Sequence, residues 1–152
     1  MSMAGQKIKT AENAVRFNPS QSMKDELAST YIDQAGILSN QVENMDPKTE
    51  AAEVKKLQEQ MIAWFRKAAP ITELYDWQRE LYINTLINQA VVSYNSRTAE
   101  NQKERLKYSI GLLQEAQDLL VHSNNIFFKN QVEQQCTTYL EVLQAELRRL
   151  KN

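Results

Sequence analysis

Histidine and cysteine occur once each in this chain of 152 residues, glycine and proline three times each. Every one of these scarcities excludes something. A single cysteine, Cys136, allows no intramolecular disulfide, which points to a reducing compartment. With only His122 and Cys136 as soft ligands, neither a four-ligand zinc site nor the doubled Glu-x-x-His pattern of di-iron bundles can be assembled. Gly5, Gly36 and Gly111 stand far apart, so no glycine-rich loop is present to cradle a phosphate. No uninterrupted apolar run approaches the ~18 residues that a membrane-spanning helix needs. The opening MSMAGQKIKTAENAVRF has no apolar stretch after its lysines and no glycine at position 2, so neither a secretory signal nor N-myristoylation is expected.

An excess of charge of one sign is missing too. Eighteen basic and 19 acidic residues leave a net charge of −1, which provides no field for gathering nucleic acid or anionic lipid. The basic clusters at Lys55-Lys56, Arg66-Lys67, Lys103/Arg105/Lys107 and Arg148/Arg149/Lys151 are short and have acidic neighbours. They read as solvated helix faces. A cytoplasmic protein without a cofactor is the expectation.

What is abundant is Gln, Glu, Lys, Leu and Ala, a mixture that favours long helices when breakers are few. Residues 1 to 19 lack a sustained apolar period and read as a loose arm, with at most a helical turn around Ala11 to Phe17. A single helical domain, residues 20 to 152, is expected to follow. Its first helix starts at Ser22, where Ser22-Met-Lys-Asp25 resembles a capping box, and carries the stripe Leu27, Tyr31, Ala35, Leu38, Val42, Met45. Asp46-Pro47 ends it and supplies an N-cap and first residue for the next, which runs to about Ala68 with Val54, Leu57, Met61, Trp64 and Ala68 on one face. After Pro70 a third helix spans Ile71 to about Tyr94. It is apolar around most of its circumference, which suits a central position.

Residues 95 to 105 hold almost no apolar side chain and form either a loop into an N-cap at Thr98 or an exposed helical extension. A fourth helix aligns Leu106, Ile110, Leu113, Gln117 and Leu120 and stops near His122 to Asn125. The last helix carries Val132, Cys136, Tyr139, Leu140, Leu143, Leu147 and Leu150 at steps of three and four. The fold expected is therefore all-α, an up-and-down bundle of about five helices whose last two form a repeat-like hairpin.

Chemistry is hard to find in this pattern. Asp118 and His122 lie four apart on one helix, a spacing that ordinary hydrogen bonding explains. Cys136 falls on an apolar stripe, as an inert buried thiol does. No catalytic or metal-binding residue is assigned, and an enzyme is not expected.

Recognition is the remaining class. The line Leu74, Trp77, Leu81 continues into Asn84 and Asn88, so one face of the third helix changes from apolar to amide. Such a face could pack a partner helix and orient it by hydrogen bonds. Phe127 and Phe128 follow Ile126 beside turn residues, and consecutive bulky residues cannot all face one side of a helix. Leu147 and Leu150 lie at the chain's end, where a helix frays unless something holds it. Trp77, Leu81, Asn84, Asn88, Phe127, Phe128, Leu147 and Leu150 are the candidate partner-binding residues.

The last two helices, most of all at Cys136-Thr-Thr-Tyr139-Leu140, resemble the final hairpin of microtubule-interacting-and-transport domains, three-helix modules that bind helical tails. That resemblance implies a helical-tail-binding domain. The chain departs from the pattern at Val142, Leu143 and Gln144, where those domains tend to carry Arg, a small residue and an acidic one. The tetratricopeptide signature is incomplete. The expected function is a protein–protein interaction module, scaffold or assembly subunit. The alternative is a small adaptor or chaperone holding one client. The expected partner is a helical segment of another protein, with homo-oligomerisation left open and neither nucleic acid nor membrane insertion involved.

Overall fold

A computed structural model describes residues 2–123 and 129–151. Among the described residues it is all-α, as expected, with no strand. Its six helices are α1 (Met3–Phe17), α2 (Gln21–Glu43), α3 (Ala51–Ala68), α4 (Asp76–Asn95), α5 (Gln102–Val121) and α6 (Lys129–Lys151). No helix among the described residues is long and apolar enough to cross a membrane.

The count of five helices is corrected by α1, which occupies the segment read as a loose arm. Ser2 caps it, its Oγ accepting the Gly5 N–H at 3.0 Å. None of its residues is buried: a helical period is present in Ala4, Ile8, Ala11 and Val15, but that face is half-buried and made largely of small side chains. The helix ends as Asn18 precedes Pro19, a position pushed sterically out of helical conformation.

The chain divides into two compact units, Met1–Tyr75 and Asp76–Asn152. The division falls inside the span read as one domain, and inside the helix read as Ile71 to Tyr94.

In the first unit α2 packs on both α1 and α3. Its cap is Ser20, two residues ahead of the serine expected. The Ser20 Oγ accepts the Met23 N–H at 3.2 Å, directly after Pro19 has set the chain extended. The core joins Leu27, Ala28, Tyr31, Ile32 and Ala35 to Val54, Leu57, Met61, Ile62, Phe65 and Ala68. Tyr31 touches all three helices. Its hydroxyl donates to Glu12 of α1 at 2.8 Å, and its ring stacks on Trp64 of α3 with centroids 5.7 Å apart. The Lys67 ammonium lies 5.5 Å from the Tyr31 ring centroid and 5.2 Å from that of Trp64, a cation–π arrangement.

Asp46 does accept a backbone hydrogen bond, from Lys48 N at 2.9 Å, while the Glu50 carboxylate accepts from Asp46 N at 3.2 Å. These bonds shape a turn, and α3 begins at Ala51 instead of Pro47. Beyond Pro70, Gln21 Nε2 donates to the Ile71 carbonyl at 3.2 Å and Thr72 Oγ1 to Asp25 at 2.7 Å. The Ile71 carbonyl, which a helix would pair within itself, is thus taken by α2, and α4 starts at Asp76. The hydrogen bond from Thr72, then that from Gln21, holds the Asp25 carboxyl below its ordinary pKa.

In the second unit α5 packs on α4 as well as on α6, so the last two helices do not stand apart as a repeat-like hairpin. Tyr82, Ile83, Leu86, Ile87 and Ala90 meet Leu106, Ile110, Leu112, Leu113, Ala116 and Leu120, and α6 adds Cys136, Leu140 and Leu143. Burial of a Leu side chain contributes about 1.5–3 kcal/mol. The α4–α5 register is marked by Ser109 Oγ donating to Ala90 O at 2.8 Å and by the Tyr82 hydroxyl bonded to the Glu115 carboxylate. Before α5, Thr98 and Asn101 close a turn: Asn101 Oδ1 accepts from Thr98 N at 2.6 Å, and Thr98 Oγ1 from Asn101 N at 3.4 Å. Residues 96–101 are a loop, as in the first of the two readings, but 102–105 already belong to α5 and its N-cap is Asn101 instead of Thr98.

Candidate functional site

Since α5 runs antiparallel to both its neighbours, α4 and α6 run parallel on either side of it. Between them opens a cleft of about 300 Å³. Buried Ala90, Leu113 and Leu143 form its floor. Val91, Tyr94 and Asn95 wall it from α4, and Thr138, Tyr139 and Val142 from α6. Val142 is 50% exposed, a large apolar side chain left outside the core at the mouth of an apolar cavity.

The two ends of the cleft differ. At one end Gln131, Gln134 and Gln135 form an amide shelf that shares Thr138 and Tyr139 with the cleft. Gln135 Nε2 donates to the Tyr139 hydroxyl at 3.4 Å. At the other end the Tyr94 hydroxyl donates to Glu146 at 2.7 Å and ties α4 to α6. That hydrogen bond, more than burial, raises the Tyr94 phenol above its ordinary pKa. The Arg97 guanidinium stacks 3.7 Å from the Tyr94 ring centroid and donates through Nη1 to the Tyr94 carbonyl at 2.8 Å. Arg149 lies 3.9 Å from Glu146.

Trp77, Leu81, Asn84 and Asn88 follow one face of α4. Trp77 is 60% exposed, Leu81 half-buried, and both asparagines are exposed. Steps of three and four carry the same face on to Val91 and Asn95, the α4 wall of the cleft. From Trp77 to Asn95 that stripe runs roughly 27 Å, at ~1.5 Å per residue. Leu147 is half-buried and Leu150 exposed, further along α6 and outside the cleft lining. Phe127 and Phe128 lie outside the described residues, as do Asn124 and Asn125, where the end of α5 was sought.

The cleft residues themselves were missed by sequence reading. The available signals were the continuation of the Trp77–Asn88 line and Val142, an apolar residue off the buried stripe of α6.

Neither the cysteine nor the histidine lines the cleft. Cys136 is fully buried, and burial, then the Glu133 charge, pushes its thiol up to about 11, so it stays protonated near neutral pH. His122 is exposed at the C-cap of α5, and no hydrogen bond joins it to Asp118. Among the described residues no group of three or more His, Cys, Asp or Glu could hold a metal ion.

No protein-family model matches the chain, and no curated protein or solved structure is significantly similar to it.

Proposed function

We propose that the α4–α6 cleft is a docking site for a helical segment of another protein, and that the chain works without catalysis as an interaction module, scaffold or assembly subunit inside the cell. The observation that carries this reading is the half-exposed Val142 over an apolar floor of Ala90, Leu113 and Leu143. At about 300 Å³ the cavity stands at the small end of the ~300–1,000 Å³ typical of ligand sites. That size suits anchor side chains from one face of a helix, the usual currency of helix-in-groove recognition. An adaptor or single-client chaperone would use the same groove. Compared with the tail-binding domains that Cys136–Leu140 resembles, Leu143 fills part of the floor where they carry a small residue, so the anchors accepted here differ.

Selection of helical peptides on the purified protein tests the reading. Val142→Asp puts a charge at the cleft mouth without touching the core. It should leave the melting curve within about 0.5 kcal/mol of wild type and abolish binding of the selected peptides. Peptides that bind the variant as well as wild type would place recognition elsewhere.

A further inference from the structure

The two ends of the cleft carry different chemistry, and that asymmetry bears on what the partner must look like. The amide shelf of Gln131, Gln134 and Gln135 is uncharged. At the opposite end the Arg97 guanidinium lies over the Tyr94 ring, half-buried, with one hydrogen bond to the Tyr94 carbonyl and no carboxylate partner among the described residues. Contact with the ring and the bond to the carbonyl restrict the guanidinium, and that single bond leaves several of its five N–H donors unused. The Glu146 carboxylate at this end is occupied: it accepts from Tyr94 and faces Arg149. Arg149 is 76% exposed and adds a second cation on the same edge of α6.

We propose, resting on the docking reading above, that the cleft selects helical segments of one chemistry: apolar anchors flanked at one end by acidic residues, which Arg97 receives beside Tyr94. A positioned guanidinium that borders an apolar cavity favours a carboxylate in bidentate geometry and disfavours a cation there. Pre-organisation on the ring removes much of the side-chain entropy that an exposed arginine would lose on binding. Glu100, Glu104 and Glu141 are exposed acids on the neighbouring loop and helices; they act against the preference, and none of them forms an ion pair with Arg97.

The test uses the full chain and blocked amphipathic peptides that share one leucine-lined face. They differ only in a terminal pair of glutamate, glutamine or lysine residues, placed before the leucines in one set and after them in another. Affinity is measured by calorimetry and location by methyl chemical shifts of Val91, Val142 and Leu143. In one of the sets the glutamate peptide should bind roughly five- to tenfold tighter than the glutamine peptide, and the lysine peptide weakest. Added salt should compress that order. Arg97→Gln should equalise the glutamate and glutamine peptides, and Arg97→Glu should reverse the order in favour of lysine, a gain that a merely damaged protein cannot show. Equal affinities across the three peptides, or a glutamate preference that survives Arg97→Gln, would overturn this inference and leave the docking site standing. If no peptide moves the cleft methyls, or if light scattering shows a dimer that buries them, the docking reading falls with it.

Discussion

The first and second units are built alike, each with a middle helix between two outer ones, yet their outer helices α1 and α6 are held in opposite ways. Helix α6 commits Cys136, Leu140 and Leu143 to the core and is fixed by desolvation. Helix α1 buries nothing completely. Its ties are polar and exposed or part-buried: Glu12 accepting from Tyr31, and Lys7 4.0 Å from Asp33. Exposed ion pairs contribute about 0–1 kcal/mol, so α1 rests on α2 with little to hold it beyond that contact and its half-buried face. An outer helix with one strongly apolar side belongs to its unit's cooperative core, whereas one with small and polar residues lies on it as a cover.

The sharpest way to break this contrast is one charge in each helix. Leu140→Asp buries a carboxylate without a partner and should cost several kcal/mol, a large part of a typical 5–15 kcal/mol stability. Ile8→Asp, on the half-buried face of α1, should cost about 1 kcal/mol or less. Denaturant titrations with hydrogen exchange read out by segment would show it: Leu140→Asp should unprotect α4 to α6, Ile8→Asp only α1. Equal costs would mean that α1 is as much a part of its core as α6. Leu147→Asp with Leu150→Asp should fall between the two, because the end of α6 can fray away from the floor.

Alkali sharpens the comparison within the first unit. Burial, then the Glu12 hydrogen bond and charge, pushes the Tyr31 phenol up to about 12 from an ordinary 10.0. The folded state therefore favours the neutral phenol. Its contribution is complete below about pH 10 and is lost as pH rises toward 12. Stability should decline across that window, and Tyr31→Phe should flatten the slope while removing the anchor to α1. An unchanged slope in the variant would assign the titration to another group.

The smallest effects concern the middle helices. Gly36 in α2 and Gly111 in α5 sit within helices, and a Cβ added at either meets nothing within 4 Å. Gly36→Ala and Gly111→Ala should each stabilise by about 0.5–1 kcal/mol, visible as a rise in Tm. A loss at one position but not the other would reveal a constraint on that middle helix alone.

Sequence by itself determined the all-α class, the approximate span of most helices and the buried stripes Leu27/Tyr31/Ala35, Leu106/Ile110/Leu113 and Cys136/Leu140/Leu143, because periodicity follows from local geometry. Helix α1 escaped because its periodic face, Ala4, Ile8, Ala11 and Val15, is made mostly of small residues and is only half-buried. The break before α4 escaped because Gln21 and Asp25, about fifty positions away, capture Ile71 and Thr72. The cleft could be decided only in three dimensions. Its walls come from α4 and α6, which the whole of α5 separates along the chain, and a gap between parallel helices has no periodic signature in either one.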